Sequence, residues 1–344
     1  MRIALDATFS TGRELSGVGV YCRRILFGLA AAYPETRFDF CYRPHRWIRS
    51  WGESLPRNAR RQLLWDWWPA SRATLFHGLN QRLPHTRFRR AVTTFHDLFV
   101  LTGEYSTAEF RRRFAAQARH AASAADGILA VSAFTAGQVA DLLGVDRERI
   151  WVVPHGADAP AAVTPPEQRE PILLFVGVLQ KRKNVVRLVD AFRAAPSGWK
   201  LVLVGGQGYG AGEILDRIAA SPCRDRILVT GYVSAAELHG WYQRAAALVF
   251  PSLDEGFGIP VLEAMANGLP VVASRTSALP EVMGDAGVPV DPHRTESIAE
   301  GIRRITGDPE LRAKLAQRGR RRATAFTWEK AVENTWAAYQ AVAG

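Results

Sequence analysis

The run Phe250-Pro-Ser-Leu-Asp-Glu-Gly-Phe-Gly-Ile-Pro-Val-Leu-Glu-Ala-Met-Ala-Asn-Gly-Leu-Pro-Val-Val-Ala-Ser274 constrains this chain more than any other stretch. Ala246 to Phe250 has the unbroken apolar character of a buried strand and runs into the loop Gly256-Phe257-Gly258. A helix then opens with Pro260 in its first turn, where a missing N–H costs nothing. Asn267-Gly268 stops it, and Leu269 to Ala273 predicts the next strand. Glu255 and Glu263 therefore flank a helix N-terminus, whose amides favour anions. Amides for phosphates and carboxylates for hydroxyls suit a nucleotide sugar. As isolated residues the two glutamates would read as a loop cap and a solvated helix position; the glycine loop, Pro260 and the following strand favour a site.

The rest of the chain alternates apolar strands with amphipathic helical stretches, the pattern of parallel α/β sheets, and at 344 residues it is long enough for two domains. In the first half, strands are expected at Arg2 to Ala7, Leu75 to His77, Ala91 to Phe95, Gly127 to Val131 and Ile150 to Val153. Apolar spacing predicts a helix from Gly17 to Ala32. Ser106-Thr-Ala-Glu109 reads as a capping box for a helix to about Ala124. Pro160 to Pro171 is the expected linker. Beyond it, strands are expected at Ile172 to Val176, Lys200 to Val204, Ile227 to Thr230 and Ala246 to Phe250. Ser234-Ala-Ala-Glu237 is a second capping box, and late helices start at Asp308-Pro309 and Thr327-Trp328.

Composition is that of a soluble globular protein, 47% hydrophobic and 22% charged. No run reaches the ~18 apolar residues of a membrane span, and the N-terminus reads as a strand, not a signal peptide. Cys22, Cys41 and Cys223 are odd in number and lack metal-ligand spacing, which points to buried thiols, a reducing compartment and a cytoplasmic location. The net charge is +11, and about +8 of it falls before residue 165, where every basic residue is Arg. Such a field attracts nucleic acid, acidic lipid or phosphorylated substrates.

The stretch around Glu255 and Glu263 resembles glycosyltransferase family 4, retaining enzymes of the GT-B fold, in its two glutamates separated by seven intervening residues and in the helix and Gly-Leu-Pro-Val-Val-Ala strand that follow. The resemblance runs from Gly17 to Trp328-Glu-Lys and is strongest over Pro251 to Asp291; 38–83 matches nothing recognisable. It implies an α/β architecture of two doubly wound parallel-sheet domains facing across a cleft. We expect residues 1–163 to bind acceptor, 164–325 to bind the nucleotide sugar, and 326–344 to return to the N-terminal domain.

Other residues take meaning from this likeness. Gly17-Val-Gly19, between the first strand and a helix, is a phosphate-cradle pattern that equally serves as a helix start; it sits where the family keeps its N-terminal glycine motif. Gly177-Val-Leu-Gln-Lys-Arg-Lys-Asn184 matches a family stretch with Gly at its start and Lys six residues later. Lys183, with Arg182 in place of the Arg that many members carry where this chain has Val178, would neutralise the leaving diphosphate. His96, in Thr93-Thr-Phe-His-Asp97, would bond a hydroxyl of the donor sugar, although a His at a strand end also serves structure. His155-Gly156 reads as a hinge turn first. Ser132 matches a serine near the donor phosphates and is also a natural helix N-cap. Gly206, within Gly205-Gly-Gln-Gly-Tyr-Gly210, lies where the family approaches the donor base and phosphates; its spacing is not that of a dinucleotide fingerprint. Glu281 reads as structural.

The resemblance thus implies a retaining hexosyltransferase of polysaccharide assembly, similar to bacterial mannosyl- and rhamnosyltransferases. Glu263 would accept from ribose hydroxyls and Glu255 from donor-sugar hydroxyls. Gly17, Gly19, Gly256, Phe257, Gly258, Ser132 and Gly206 would line the donor. No carboxylate cluster marks a metal site, so no metal or other cofactor is expected beyond a nucleotide-sugar donor, a GDP-sugar first, with a UDP- or dTDP-sugar as the alternative. The acceptor would be a glycan or a polyprenyl-diphosphate-linked glycan. Arg43 to Trp51 and Arg57 to Trp68 interleave arginine with tryptophan, which suits either an anionic membrane surface at the inner face or a core with a solvated rim. A glycoside hydrolase with two carboxylates and a nucleic-acid-binding protein are the other classes; no nucleic-acid motif accompanies the charge.

Overall fold

The computed structural model describes residues 1–12, 15–67 and 73–344. It divides into two compact units, Met1–Gly156 with Trp328–Gly344, and Ala157–Thr327. The first break thus follows Gly156 instead of residue 163, and the second follows Thr327 instead of residue 325.

The first unit holds seven strands: β1 (Arg2–Asp6), β2 (Arg37–Tyr42), β3 (Ala59–Leu63), β4 (Leu75–Gly78), β5 (Ala91–Phe95), β6 (Gly127–Ala130) and β7 (Ile150–Val152). Their order is β3-β2-β1-β4-β5-β6-β7, every pair parallel, so the winding reverses at β1. Helices on both faces explain why Ile3, Ala4, Leu5, Val92 and Leu129 are all fully buried. Helix Gly17–Ala32 seats Tyr21, Cys22, Ile25, Leu26 and Leu29 on the sheet, a stripe of helical period. The terminal helix Trp328–Ala343 belongs to this unit. A Cβ on Gly28 would lie 2.6 Å from Val332 Cγ2, so glycine sets how closely these two helices approach. Tyr339 of the terminal helix also bonds His77 Nδ1 on β4 at 2.6 Å, and His77 Nε2 meets Thr94 Oγ1 at 2.8 Å. Thr94 in turn meets the Tyr21 hydroxyl at 3.0 Å. The buried side chains of Tyr339, His77, Thr94 and Tyr21 thus satisfy one another, as burial requires.

The second unit holds β8 (Glu170–Val176), β9 (Lys200–Val204), β10 (Ile227–Gly231), β11 (Ala245–Phe250), β12 (Val271–Ser274) and β13 (Gly287–Val290). Their order is β10-β9-β8-β11-β12-β13, again all parallel, with the reversal at β8 beside β11.

Several boundaries differ from expectation for local reasons. Helix Ala108–Ala124 is capped by Thr107, whose hydroxyl accepts from the Phe110 N–H, so the Ser106 to Glu109 box does not form. The Ser234–Glu237 box does, in both directions. The stretch 160–171 is not all linker, because β8 starts at Glu170 and Arg169 is buried in front of it. That guanidinium donates to the carbonyls of Thr164, Tyr242, Ala245 and Asn267 and pins the segment to its own unit. Of the three free cysteines, Cys22 and Cys41 are buried but Cys223 is half-buried.

Candidate active site

In each sheet the site residues follow the carboxyl ends of strands near the reversal, where ligands of doubly wound sheets bind. In the second unit, β11 ends at Phe250 and the loop to helix Ile259–Ala266 carries Ser252, Asp254 and Glu255. The turn after β8 carries Arg182 and Lys183. Backbone bonds staple turn to loop: Leu253 N–H donates to the Arg182 carbonyl at 2.9 Å. Asn184, in the left-handed region at φ 59°, donates to the carbonyls of Pro251 and Pro292.

These constraints bring Arg182, Lys183 and Glu255 together, all buried. Lys183 Nζ donates to Glu255 Oε1 at 2.6 Å and Ser252 Oγ donates to the same oxygen at 2.5 Å. Arg182 Nη1 lies 2.9 Å from Glu255 Oε2 and also donates to the Asp254 carbonyl. The Glu255 N–H donates to Ser277 Oγ at 3.2 Å. Burial by itself would raise the Glu255 carboxyl; Arg182 and Lys183, with the bonds from Lys183 and Ser252, overcome it and bring the pKa down to about 2. The cluster is therefore one carboxylate under two cations, a net positive centre. Both lone pairs of Oε1 are used, whereas Oε2 keeps one for a further donor.

Gly258 opens the helix at φ 107°, and no side chain caps it. A Cβ there would stand 2.5 Å from Leu279 Cδ2, so the loop closes only around glycine. Phe257 is buried edge-on to Phe326 at 5.9 Å. Gly256 and Gly258 thus place backbone, not side chains, at the helix start, while Phe257 anchors the loop. One turn into the helix, Glu263 is half-buried and its Oε2 accepts from the Tyr242 hydroxyl at 2.8 Å. Burial pushes this carboxyl up to about 7, against the Tyr242 bond and with the charge of Asp158 adding to the rise. Gly206 lies in the loop after β9, where its carbonyl accepts from Leu179 N–H at 2.8 Å, beside the turn that carries Lys183.

In the first unit, His96 follows β5 and is buried. Its Nε2 donates to the Leu79 carbonyl at 3.0 Å, which leaves Nδ1 as the acceptor of a neutral ring. Burial holds its pKa down at about 4. Tyr21, from the helix that starts at Gly17, stands edge-on to His96 at 4.7 Å and to His155 at 4.9 Å. Phe95 pairs with Ala130, so Ser132 sits one strand away on the same edge. Its hydroxyl accepts from the Thr135 N–H at 2.9 Å as a helix cap. Ser16 caps the Gly17 helix by accepting from Gly19 N–H at 3.3 Å. A Cβ on Gly19 would meet the Phe9 carbonyl at 2.8 Å, so Gly19 has a packing reason to be glycine, while Gly17 is exposed.

Sequence reasoning missed Ser252, Ser277, Tyr242 and Asn184. Ser252 stands three residues before Glu255, a spacing that signals a local bond to the same loop. Ser277, Tyr242 and Asn184 reach the site from other elements and leave no such signal. Among the described residues, no three His, Cys, Asp or Glu side chains gather closely enough to hold a metal ion.

Comparison with known proteins places the chain. Residues 160–322 match the family model described as glycosyl transferases group 1, and residues 13–159 match glycosyltransferase family 4. The O-antigen chain mannosyltransferase B of Escherichia coli is 32% identical over 282 residues, 77% of this chain and 74% of that protein. The protein belongs to glycosyltransferase family 4. A D-inositol 3-phosphate glycosyltransferase of Xylanimonas cellulosilytica is 32% identical over 231 residues, 61% of this chain and 55% of that one. Sucrose-phosphate synthase from Thermosynechococcus elongatus superposes with a TM-score of 0.79 at 22% identity, covering 99% of this chain and 98% of that one. The fold of this glycosyltransferase is therefore GT-B, each unit one of its two parallel-sheet domains.

Proposed function

We propose that this glycosyltransferase moves a hexose, mannose or a deoxyhexose, from a GDP-sugar to a glycan or polyprenyl-diphosphate-linked acceptor with retention at the anomeric carbon. The observation that carries the reading is the buried Lys183–Glu255–Arg182 cluster at the end of β11. Its net positive charge meets a diphosphate as the glycosidic bond breaks and negative charge grows on the leaving oxygen. Lys183 and Arg182 then do the work a divalent ion does elsewhere, so turnover needs no metal. The remaining lone pair of Glu255 Oε2 accepts from a donor-sugar hydroxyl, and Glu263, steadied by Tyr242, accepts from the ribose. His96 Nδ1 accepts from a sugar hydroxyl. Gly17, Gly19, Ser132, Gly206 and the Gly256–Gly258 loop supply amides and close backbone approach. Departure and attack on the same face, with a donor phosphate oxygen taking the acceptor proton, retain configuration. The relative named a mannosyltransferase supports mannose as the transferred sugar.

A thermal-shift panel with GDP, UDP, dTDP and ADP tests the donor: a ligand at 100 times its Kd adds about 2.7 kcal/mol. Stabilisation by UDP or dTDP alone would replace the GDP-sugar with the alternative donor, and no shift with any of the four would remove the donor-site assignment.

A second proposal concerns the membrane. Trp47 packs on the core, but Ile48 is 84% exposed, Trp51 64% and Trp67 77%; Trp68 lies outside the described residues. Large apolar side chains among arginines suit the headgroup layer of an anionic bilayer at the inner face of a membrane. Among the described residues no helix is long and apolar enough to cross one. Co-sedimentation with anionic vesicles should fall when Ile48 and Trp51 are both replaced by Ser; unchanged pelleting would remove the surface.

A further inference from the structure

We propose that Asn184 and Ser277 are positioning residues for the transfer, a pair of clamps in left-handed backbone that fix the loop 251–255 and, through it, Glu255. The proposal rests on the donor-site reading of Glu255 and assigns the residues that hold it in place. Among the described residues, Asn184 and Ser277 are the two that are not glycine and have positive φ, each at 59°. Both grip the same loop. β11 lies between β8 and β12 in the sheet; Asn184 follows β8 and Ser277 follows β12, so the loop after β11 is held from its two flanks.

The grip runs along the loop from end to end. Asn184 Nδ2 donates to the Pro251 carbonyl at 2.9 Å, and Ser274 Oγ donates to the Ser252 carbonyl at 2.6 Å. At the far end the Glu255 N–H donates to Ser277 Oγ, and the Glu255 carbonyl accepts from the Ala278 N–H, both at 3.2 Å. The chain turns in left-handed backbone at Ser277 as it makes this reciprocal pair. Asparagine enters that region readily and glycine without steric cost, whereas serine enters it rarely. A serine here is therefore explained by its hydroxyl, not by its backbone. That hydroxyl gives its proton to the Thr276 carbonyl at 2.6 Å, which leaves its lone pairs for the Glu255 N–H. Lys183, on a flexible stem, can follow the Glu255 carboxylate as it moves. The bonds to the N–H and carbonyl of Glu255 instead fix the backbone from which Oε2 reaches the donor. A displacement of about 1 Å at a reacting centre costs on the order of a hundredfold in rate, and strain retained beside such a centre points to geometry that function needs.

The test compares Ser277→Gly, Ser277→Ala and Asn184→Gly with wild type. GDP release from GDP-mannose at saturating donor, GDP affinity by calorimetry and thermal unfolding are measured on each; UDP-glucose and UDP replace these probes if UDP is the nucleotide that stabilises wild type. Hydrogen exchange over 251–258, without ligand, reports on the loop itself. We expect each variant to release nucleotide at least tenfold more slowly, with nucleotide affinity within threefold of wild type and faster exchange in 251–258. Both Ser277 variants lose the hydroxyl, but glycine sheds strain that alanine keeps, so Ser277→Gly should melt higher than Ser277→Ala. Equal losses of rate at unequal stability are the signature of positioning. Rates that track melting temperature across that pair would make the hydroxyl a stability device and overturn the proposal. Nucleotide release within threefold of wild type, or unchanged exchange over 251–258, would overturn it as well. A wild type that no nucleotide stabilises would remove the donor-site reading instead; the exchange measurement needs no ligand and still decides whether the two residues clamp the loop.

Discussion

Lys183→Ala probes the proposed chemistry most directly. The substitution removes an ammonium 2.6 Å from Glu255 Oε1 inside a buried cluster. Two consequences can be sized separately. Breaking a buried ion pair by deleting one partner costs about 3–5 kcal/mol when the survivor is left alone. Here Glu255 keeps Arg182 at 2.9 Å and Ser252 at 2.5 Å. The stability loss should therefore be nearer the ~1.5–3 kcal/mol of one hydrogen bond to a charged group. For catalysis, one of two cations facing the leaving diphosphate is gone, and a tenfold loss of turnover corresponds to about 1.4 kcal/mol in the barrier, the least we expect. Urea unfolding measures the first and steady-state turnover at saturating donor the second. There is a further signature in acid. Glu255 ionises at about 2 in the fold against an ordinary value of 4.5, so its stabilisation is present above 4.5 and lost as pH falls through about 2. Without Lys183 the folded pKa rises and that contribution shrinks. Turnover within threefold of wild type, with Lys183→Met agreeing, would refute the leaving-group role.

Further outcomes follow from the same geometry. Glu263→Ala should weaken nucleotide binding itself, whereas Glu255→Ala should chiefly lower turnover; titration calorimetry beside kinetics separates them, and equal nucleotide affinity with near-normal turnover in both would defeat the assignment. Because the folded Glu263 carboxyl is raised to about 7 from 4.5, its favourable share of stability is present below 4.5 and lost as pH rises through about 7. Glu263→Gln should flatten that loss in unfolding measured from pH 5 to 8, and an unaltered slope would count against it. EDTA should leave turnover unchanged; an enzyme that stops and recovers with magnesium or manganese would overturn the metal-free mechanism. Gly258→Ala should destabilise the second unit by about 1–3 kcal/mol, since it forces a positive φ on an L-residue and sets a Cβ 2.5 Å from Leu279; a melting temperature equal to wild type would refute the strain.

Much of this protein was legible in its sequence because its determinants are local. Parallel strands buried on both faces are continuous apolar runs, so β5, β8, β9 and β11 could be read to within two residues. Ser234 and Glu237 lie one helical turn apart, and their reciprocal cap needs nothing from the rest of the chain. Glu255, Gly258, Pro260 and Glu263 share one loop and helix, so their spacing already implied a site. Strands β2 and β3 escaped because Arg37, Asp39, Arg60 and Arg61 break the apolar run; their pairing partners supply what the local pattern lacks. The protonation states were decided only in three dimensions. Two glutamates eight positions apart, alike as sequence, ionise near 2 and near 7. Arg182 and Lys183 arrive beside one from the turn after β8, while the other meets a tyrosine hydroxyl from a neighbouring helix and the like charge of Asp158. Coulomb energy falls with distance through space and takes no account of separation along the chain, so only the folded arrangement of the strands could set the two apart.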